Sequence, residues 1–152
     1  MNEGSAMTNT EPLKARTPNL VLRRIGAVLA GLLVVVILDL GIDVILHAMG
    51  VYPPWFQTMS APLWILAIAY RMVDGTIGGY LAARFAPDQP MRHALVLGVL
   101  GLSLGTAGLV GTWNAGPEFG PKWYPLALVV IALPCSWLGG RLRLAQLRAG
   151  AD

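Results

Sequence analysis

The sequence predicts an all-α integral membrane protein, a four-helix up-down-up-down bundle with both termini cytoplasmic. Three observations carry that expectation. The 152 residues are 55 % hydrophobic and 12 % charged, with a mean hydropathy of +0.61, whereas soluble domains carry about a quarter charged residues. The apolar residues fall into long blocks, without the alternation of half-buried strands or amphipathic helices. The basic residues gather at the ends of those blocks, so the net charge of +3 orients a membrane protein and does not call for nucleic acid. The lipid bilayer is the expected partner. The length suits one bundle and no second domain. A single cysteine, Cys135, excludes an intrachain disulfide, CxxC redox chemistry and a cysteine zinc site.

Residues 1–18 are polar, mixed in charge and Pro-containing, and read as a disordered cytoplasmic tail. The first apolar block runs from about Ile25 to Leu46 behind Arg23-Arg24. It is too long for a signal-peptide core, and no small-x-small cleavage site follows, so it reads as an uncleaved span. Further spans are expected at about 62–83, 93–112 and 123–140, each near the ~20 residues that cross a ~30 Å hydrocarbon layer. Pro-, Gly- and Asn-containing loops separate them. The four spans form one domain over 19–143, and 144–152 read as a second cytoplasmic tail.

Lys14, Arg16, Arg23, Arg24, Arg84, Arg92, Arg141, Arg143 and Arg148 fall on one side and Lys122 on the other. The positive-inside bias places both tails in the cytoplasm. Trp55, Trp64, Trp113, Trp123 and Tyr124 collect at the opposite ends of the spans, as an outer aromatic belt does. Spans two and four both open with Pro-Leu (Pro62, Pro125) and both reach Gly-Gly (Gly78-Gly79, Gly139-Gly140). That likeness fits either duplicated hairpins or the chance similarity of apolar segments.

Charged residues interrupt the first two spans. Asp39, Asp43 and His47 are spaced i, i+4, i+8 on one face of the first helix. At 1.5 Å per residue, Asp39 lies about 9 Å below the outer boundary, Asp43 just below it and His47 at the interface. Descending the second span, Arg71 lies about 13 Å deep and Asp74 about 18 Å. Side chains lean toward the helix N-terminus, so the Arg71 guanidinium rises to about the level of Asp39. An Arg71–Asp39 bridge between helices is therefore expected over an Arg71–Asp74 pair within one helix. Each charge left unpaired at mid-membrane costs about 2.5–3.5 kcal/mol. Three carboxylates face one guanidinium, so Asp74 is expected to sit protonated and hydrogen-bonded, or else to hold a proton, a cation or water.

The third span carries Gly98, Gly101, Gly105 and Gly108, small residues that let helix backbones approach closely. Pro134 interrupts the fourth span and should loosen the carbonyl near Val130, with Cys135 and Ser136 bonding locally. His47 reads as a hydrated interfacial residue or, with Asp43, as part of a ligand set, although two side chains are too few for a metal. No phosphate loop, zinc motif or paired nucleophile and base is visible. No catalytic residue, cofactor or metal is predicted.

The stretches Ala69-Tyr70-Arg71, Gly78-Gly79-Tyr80, Ala83 to Pro87, Pro90 to Leu95, Trp123-Tyr124-Pro125 and Trp137 to Gly140 resemble a group of small bacterial four-helix membrane proteins. The likeness covers about the last 90 residues. It implies an integral protein of a bacterial cytoplasmic membrane, with no activity or site residues to carry over. The leading functional expectation is a non-catalytic assembly or accessory component that joins a second copy or a membrane-protein partner. A small proton- or cation-coupled carrier using Asp39 and Asp74 is the alternative, followed by an intramembrane enzyme.

Overall fold

The computed structural model describes residues 18–150, and among them there are four α-helices and no strand. Helix α1 spans Pro18–Ala48, α2 Ala61–Phe85, α3 Pro90–Thr112 and α4 Trp123–Ala149, with a 3-10 turn at Pro117–Phe119 before α4. Of the tail expected over 1–18, residues 1–17 lie outside the described residues, and Pro18 opens α1. Two helices run further than the apolar blocks. α1 begins seven residues before Ile25, and α4 continues through Ala149, into the segment read as a tail. Hydropathy registers only the apolar part of a helix, whereas backbone hydrogen bonding continues through Arg23-Arg24 and Arg141–Arg148.

Proline and glycine set the ends. α1 stops at Gly50, whose φ of +71° lets the N–H groups of Gly50, Val51 and Tyr52 fold back onto carbonyls of His47 and Leu46. Pro lies in the first positions of α2 and α3, where its missing N–H is no loss. α2 ends just before Ala86, as the following Pro87 requires.

Helices α1, α3 and the turn-plus-α4 segment Pro117–Ala149 are long and apolar enough to cross a membrane. α2, expected as the second span, has the length, about 37 Å at 1.5 Å per residue. It falls short in composition, because Arg71 and Asp74 interrupt its middle. α2 instead takes the central place. It packs against α1, α3 and α4, while α1 rests mainly on α2 and α4 rests on α2 and α3.

Small residues make the interior. Ala27, Ala67, Ala82, Ala83 and Ala94 are buried, whereas Leu22, Leu33, Leu40, Ile65, Val110 and Val130 face outward. Large apolar side chains outside and small ones between helices suit apolar surroundings, where close backbone approach does the packing. One glycine of each Gly-Gly pair lies at the α2–α4 contact, Gly79 and Gly139, while Gly78 faces α1 and Gly140 faces α3. A Cβ on Gly79 would fall 2.7 Å from Ser136 Cα, and one on Gly139 would strike Thr76 and Tyr80 backbone. Along α3, Gly98, Gly101 and Gly105 face Leu133, Ala132 and Val129 of α4. Gly108 meets nothing within 4 Å, so the expected packing role stops one turn earlier. Ser136 Oγ donates 2.6 Å to the Ala94 carbonyl of α3, where a local bond within α4 was expected. Pro134 lies inside an otherwise continuous α4.

At the α2–α3 loop, Arg24 of α1 forms a two-pronged ion pair with Asp88. The sequence reading gave Arg24 only an orienting role. Hydrogen bonding from Arg24 holds the Asp88 carboxyl below the usual carboxylate range. Folding thus lowers its proton affinity, so the pair's contribution is present above the unfolded carboxylate range, about pH 4, and is lost as pH falls below it. The pair is exposed and its contribution modest. Unfolding temperature followed against pH should fall less steeply in acid for Asp88→Asn than for the unaltered chain; equal slopes would exclude the pair as a contributor.

Candidate functional site

The charges of α1 and α2 converge where the two helices cross near the α1–α2 loop. Arg71 Nη2 donates 2.7 Å to Asp43 Oδ2. Its Nη1 donates to the Tyr70 hydroxyl and, at 3.3 Å, to the Ala67 carbonyl one turn back. The Tyr70 hydroxyl in turn donates to Asp43 Oδ1. Arginine, tyrosine and aspartate thus close a triangle in which both carboxylate oxygens of Asp43 have a donor. The guanidinium also lies 4.8 Å from the centre of the Tyr70 ring, a cation–π distance.

The expected bridge from Arg71 to Asp39 is present as a long ion pair, but the hydrogen-bonded mate of the guanidinium is Asp43. Asp39 Oδ2 stands 4.0 Å from Arg71 Nε, beyond hydrogen-bond reach. The side chain extends past the first acidic turn of α1 to the second. Two things favour that reach: the Tyr70 hydroxyl bridges to Asp43, and Asp39 faces Asp74. Arg71 and Asp43 side chains are each only 18 % exposed, so Asp43 is more sheltered than its computed depth near the boundary suggested.

Asp74 is 2 % exposed. Its carboxyl faces that of Asp39 across the two helices, and Asp74 Oδ2 and Asp39 Oδ1 are both buried without a donor. Two ionised carboxylates are acceptors only. Acceptor facing acceptor is satisfied when one proton lies between them, or when a ligand supplies donors.

Above the triangle, the α1–α2 loop folds over the site. His47 Nδ1 lies 2.7 Å from the backbone carbonyl of Asp43, its ring stacks on Trp55 at 3.6 Å and Tyr52 meets it edge-on at 5.3 Å. The Asp43 carboxylate points to Arg71, so His47 and Asp43 are not arranged as two ligands of one ion. Among the described residues no three His, Cys, Asp or Glu side chains are grouped to hold a metal. Trp64 donates 3.2 Å to the Met59 carbonyl and packs on Tyr124 of α4 at 4.5 Å between ring centres.

Arg71 separates two cavities. One, of about 150 Å³, lies under the loop against Asp43, His47, Tyr52, Trp64 and Tyr124. The other, of about 210 Å³, lies on the opposite side between α1, α3 and α4, with Asp39 in its wall. Tyr70, Tyr52, Trp64 and Tyr124 belong to the site and were not singled out as part of it by the sequence. Tyr70 directly precedes Arg71, and an aromatic inside an apolar run reads as packing. No protein-family model, curated protein or solved structure matches the chain.

Removing one partner of a buried ion pair costs about 3–5 kcal/mol, because the other charge stays buried and unpaired. Asp43→Asn should therefore destabilise the protein by several kcal/mol in chemical unfolding. Asp39→Asn should cost far less, since the new amide donates to Asp74. The reverse order would show that Asp39 is the true mate.

Proposed function

We propose that this chain is a four-span integral protein of a bacterial cytoplasmic membrane, up-down-up-down, with residues 19–143 as its membrane domain and both termini in the cytoplasm. Its role is that of a non-catalytic assembly or accessory component. The observation that carries this reading is the Arg71–Tyr70–Asp43 triangle. It turns the charges of α2 toward α1 and away from lipid, which makes a span of the one helix whose composition argues against crossing. Contacts that run in opposite chain directions support the topology. Asp43 meets Arg71 while Gly31 meets Gly78, and Gly98 meets Ser136 while Gly105 meets Val129. The one-sided basic residues support the orientation.

Assembly is supported by the free face of α3. Gly108 and Gly111 meet nothing within 4 Å, and Leu104 and Val110 beside them are exposed. That is a surface on which a second copy or a partner helix can pack closely. A second reading, a small proton- or cation-coupled carrier, draws on one further observation: the donor-less carboxyls of Asp39 and Asp74.

Single cysteines in a Cys135→Ser background test the topology. Pro53→Cys and Asn114→Cys should react with a membrane-impermeant maleimide in intact cells, and Met7→Cys and Ala151→Cys only after permeabilisation. Val110→Cys should crosslink to its neighbour on mild oxidation. Labelled tails in intact cells would overturn the orientation, and a Val110→Cys chain that stays monomeric would overturn assembly through α3.

A further inference from the structure

The 210 Å³ cleft has an apolar body and one polar wall. Leu32 and Val35 of α1, Leu97 of α3 and Leu128 and Ile131 of α4 line it, and Asp39 and Arg71 stand at its polar side. The polar side is short of donors and not of acceptors. The Arg71 guanidinium is engaged by Asp43, Tyr70 and the Ala67 carbonyl, which leaves little to hold an anion. Asp39 Oδ1 and, behind it, Asp74 Oδ2 are buried and lack a donor. A molecule that completes this wall must bring hydrogen-bond donors, and a positive charge meets the surplus of carboxylates. Its remainder must be apolar and small, since the cleft holds the volume of about seven waters at ~30 Å³ each.

We propose that the cleft is a binding site for a small lipophilic amine in its ammonium form, bound by Asp39 with Asp74 behind it, in exchange for a proton held by that acidic pair. This deepens the carrier reading of the same acidic pair, and it stands or falls apart from the four-span topology. The exchange balances: one monovalent cation enters and one proton leaves, so the charge of the site is unchanged. Other titratable or charged groups lie around the pair on its own two helices and on α4. α1 adds Asp43, α2 adds Tyr70 and Arg71, and α4 adds Tyr124 and Cys135, while α3 contributes Leu97, Gly101 and Gly105 to the lining. Arg71 is the one fixed cation among them, and its pairing with Asp43 leaves the Asp39–Asp74 pair to the ligand. A neutral alcohol of the same body offers one donor and no charge, which makes it the comparison.

The test uses the full chain in lipid nanodiscs, with empty nanodiscs as the blank. Hexylammonium chloride and hexanol are titrated by calorimetry near pH 7 in two buffers of different ionisation heat. Saturable hexylammonium binding is expected, with about one proton released per amine bound, and no saturable hexanol signal. Asp39→Asn should weaken amine binding about tenfold or more. Because that variant can also disturb packing, the unaltered protein supplies a second readout. Hexylammonium stays protonated well past neutral pH, as a lysine amine does, with pKa about 10.4. Its affinity should therefore rise with pH through proton competition, by up to about tenfold per unit. Affinity that does not change with pH, release of no proton, or hexanol binding as well as hexylammonium would overturn the amine site. Such a failure beside correctly labelled loop cysteines leaves the four-span reading standing.

Discussion

A guanidinium held among apolar helices needs an anion within hydrogen-bond reach, and much of this molecule is arranged around meeting that need. Arg71 sits in the middle of α2 and keeps its charge at any ordinary pH. Its anion, Asp43, stands on a different helix at 2.7 Å, so the electrostatic requirement of one helix fixes the position of another. Tyr70 gives the pair its geometry, accepting from the guanidinium and donating to the carboxylate. A flexible ion pair becomes a three-cornered lock in which both oxygens of the Asp43 carboxylate have a defined donor. α1 has its largest interface with α2, and the lock lies at one end of it. At the other end Arg24 reaches from α1 to Asp88 in the α2–α3 loop.

The central place of α2 follows from the same requirement. A helix carrying Arg71 and Asp74 gains from being covered, and coverage on three sides demands close approach. Gly79 and Gly139 supply it against α4, and Gly31 and Gly78 supply it against α1. A side chain at any of these positions would separate the backbones and lengthen the charge contacts. Covering Asp74 has a consequence of its own. With the guanidinium turned to Asp43, the Asp39–Asp74 pair is left with acceptors that face one another, and donors must come from a proton or a ligand. The tie of Asp43 to Arg71 and the availability of the acidic pair are therefore two sides of one arrangement.

The helices were legible in the sequence because long apolar runs leave a backbone no other way to satisfy its hydrogen bonds in an apolar solvent. Their ends were less so, since Arg23, Arg24 and the Arg141–Arg148 segment continue helical hydrogen bonding without adding hydropathy. The acidic face of α1 and its meeting with Arg71 could be read from spacing and helix rise. The choice between Asp39 and Asp43 could not. One helical turn separates them, an extended arginine side chain spans that difference, and Tyr70 tips the balance through a hydroxyl whose direction no periodicity reveals. The Gly-Gly pairs of α2 and α4 stood out as a likeness between segments, but the contact of Gly79 with Gly139 depends on how the two helices face each other. Gly108 shows the opposite limit. It continues the spacing of Gly101 and Gly105, yet the helices have diverged by that turn and nothing lies against it.

The most direct measurement is the contact between the Arg71 guanidinium nitrogens and the carboxyl carbons of α1 by dipolar-coupling solid-state NMR on selectively labelled protein in lipid bilayers. A strong coupling to Asp43, with a weaker one to Asp39, is predicted from a 2.7 Å hydrogen bond to the first and a 4.0 Å separation from the second. A guanidinium coupled instead to lipid phosphorus, or to Asp39 alone, would contradict the lock.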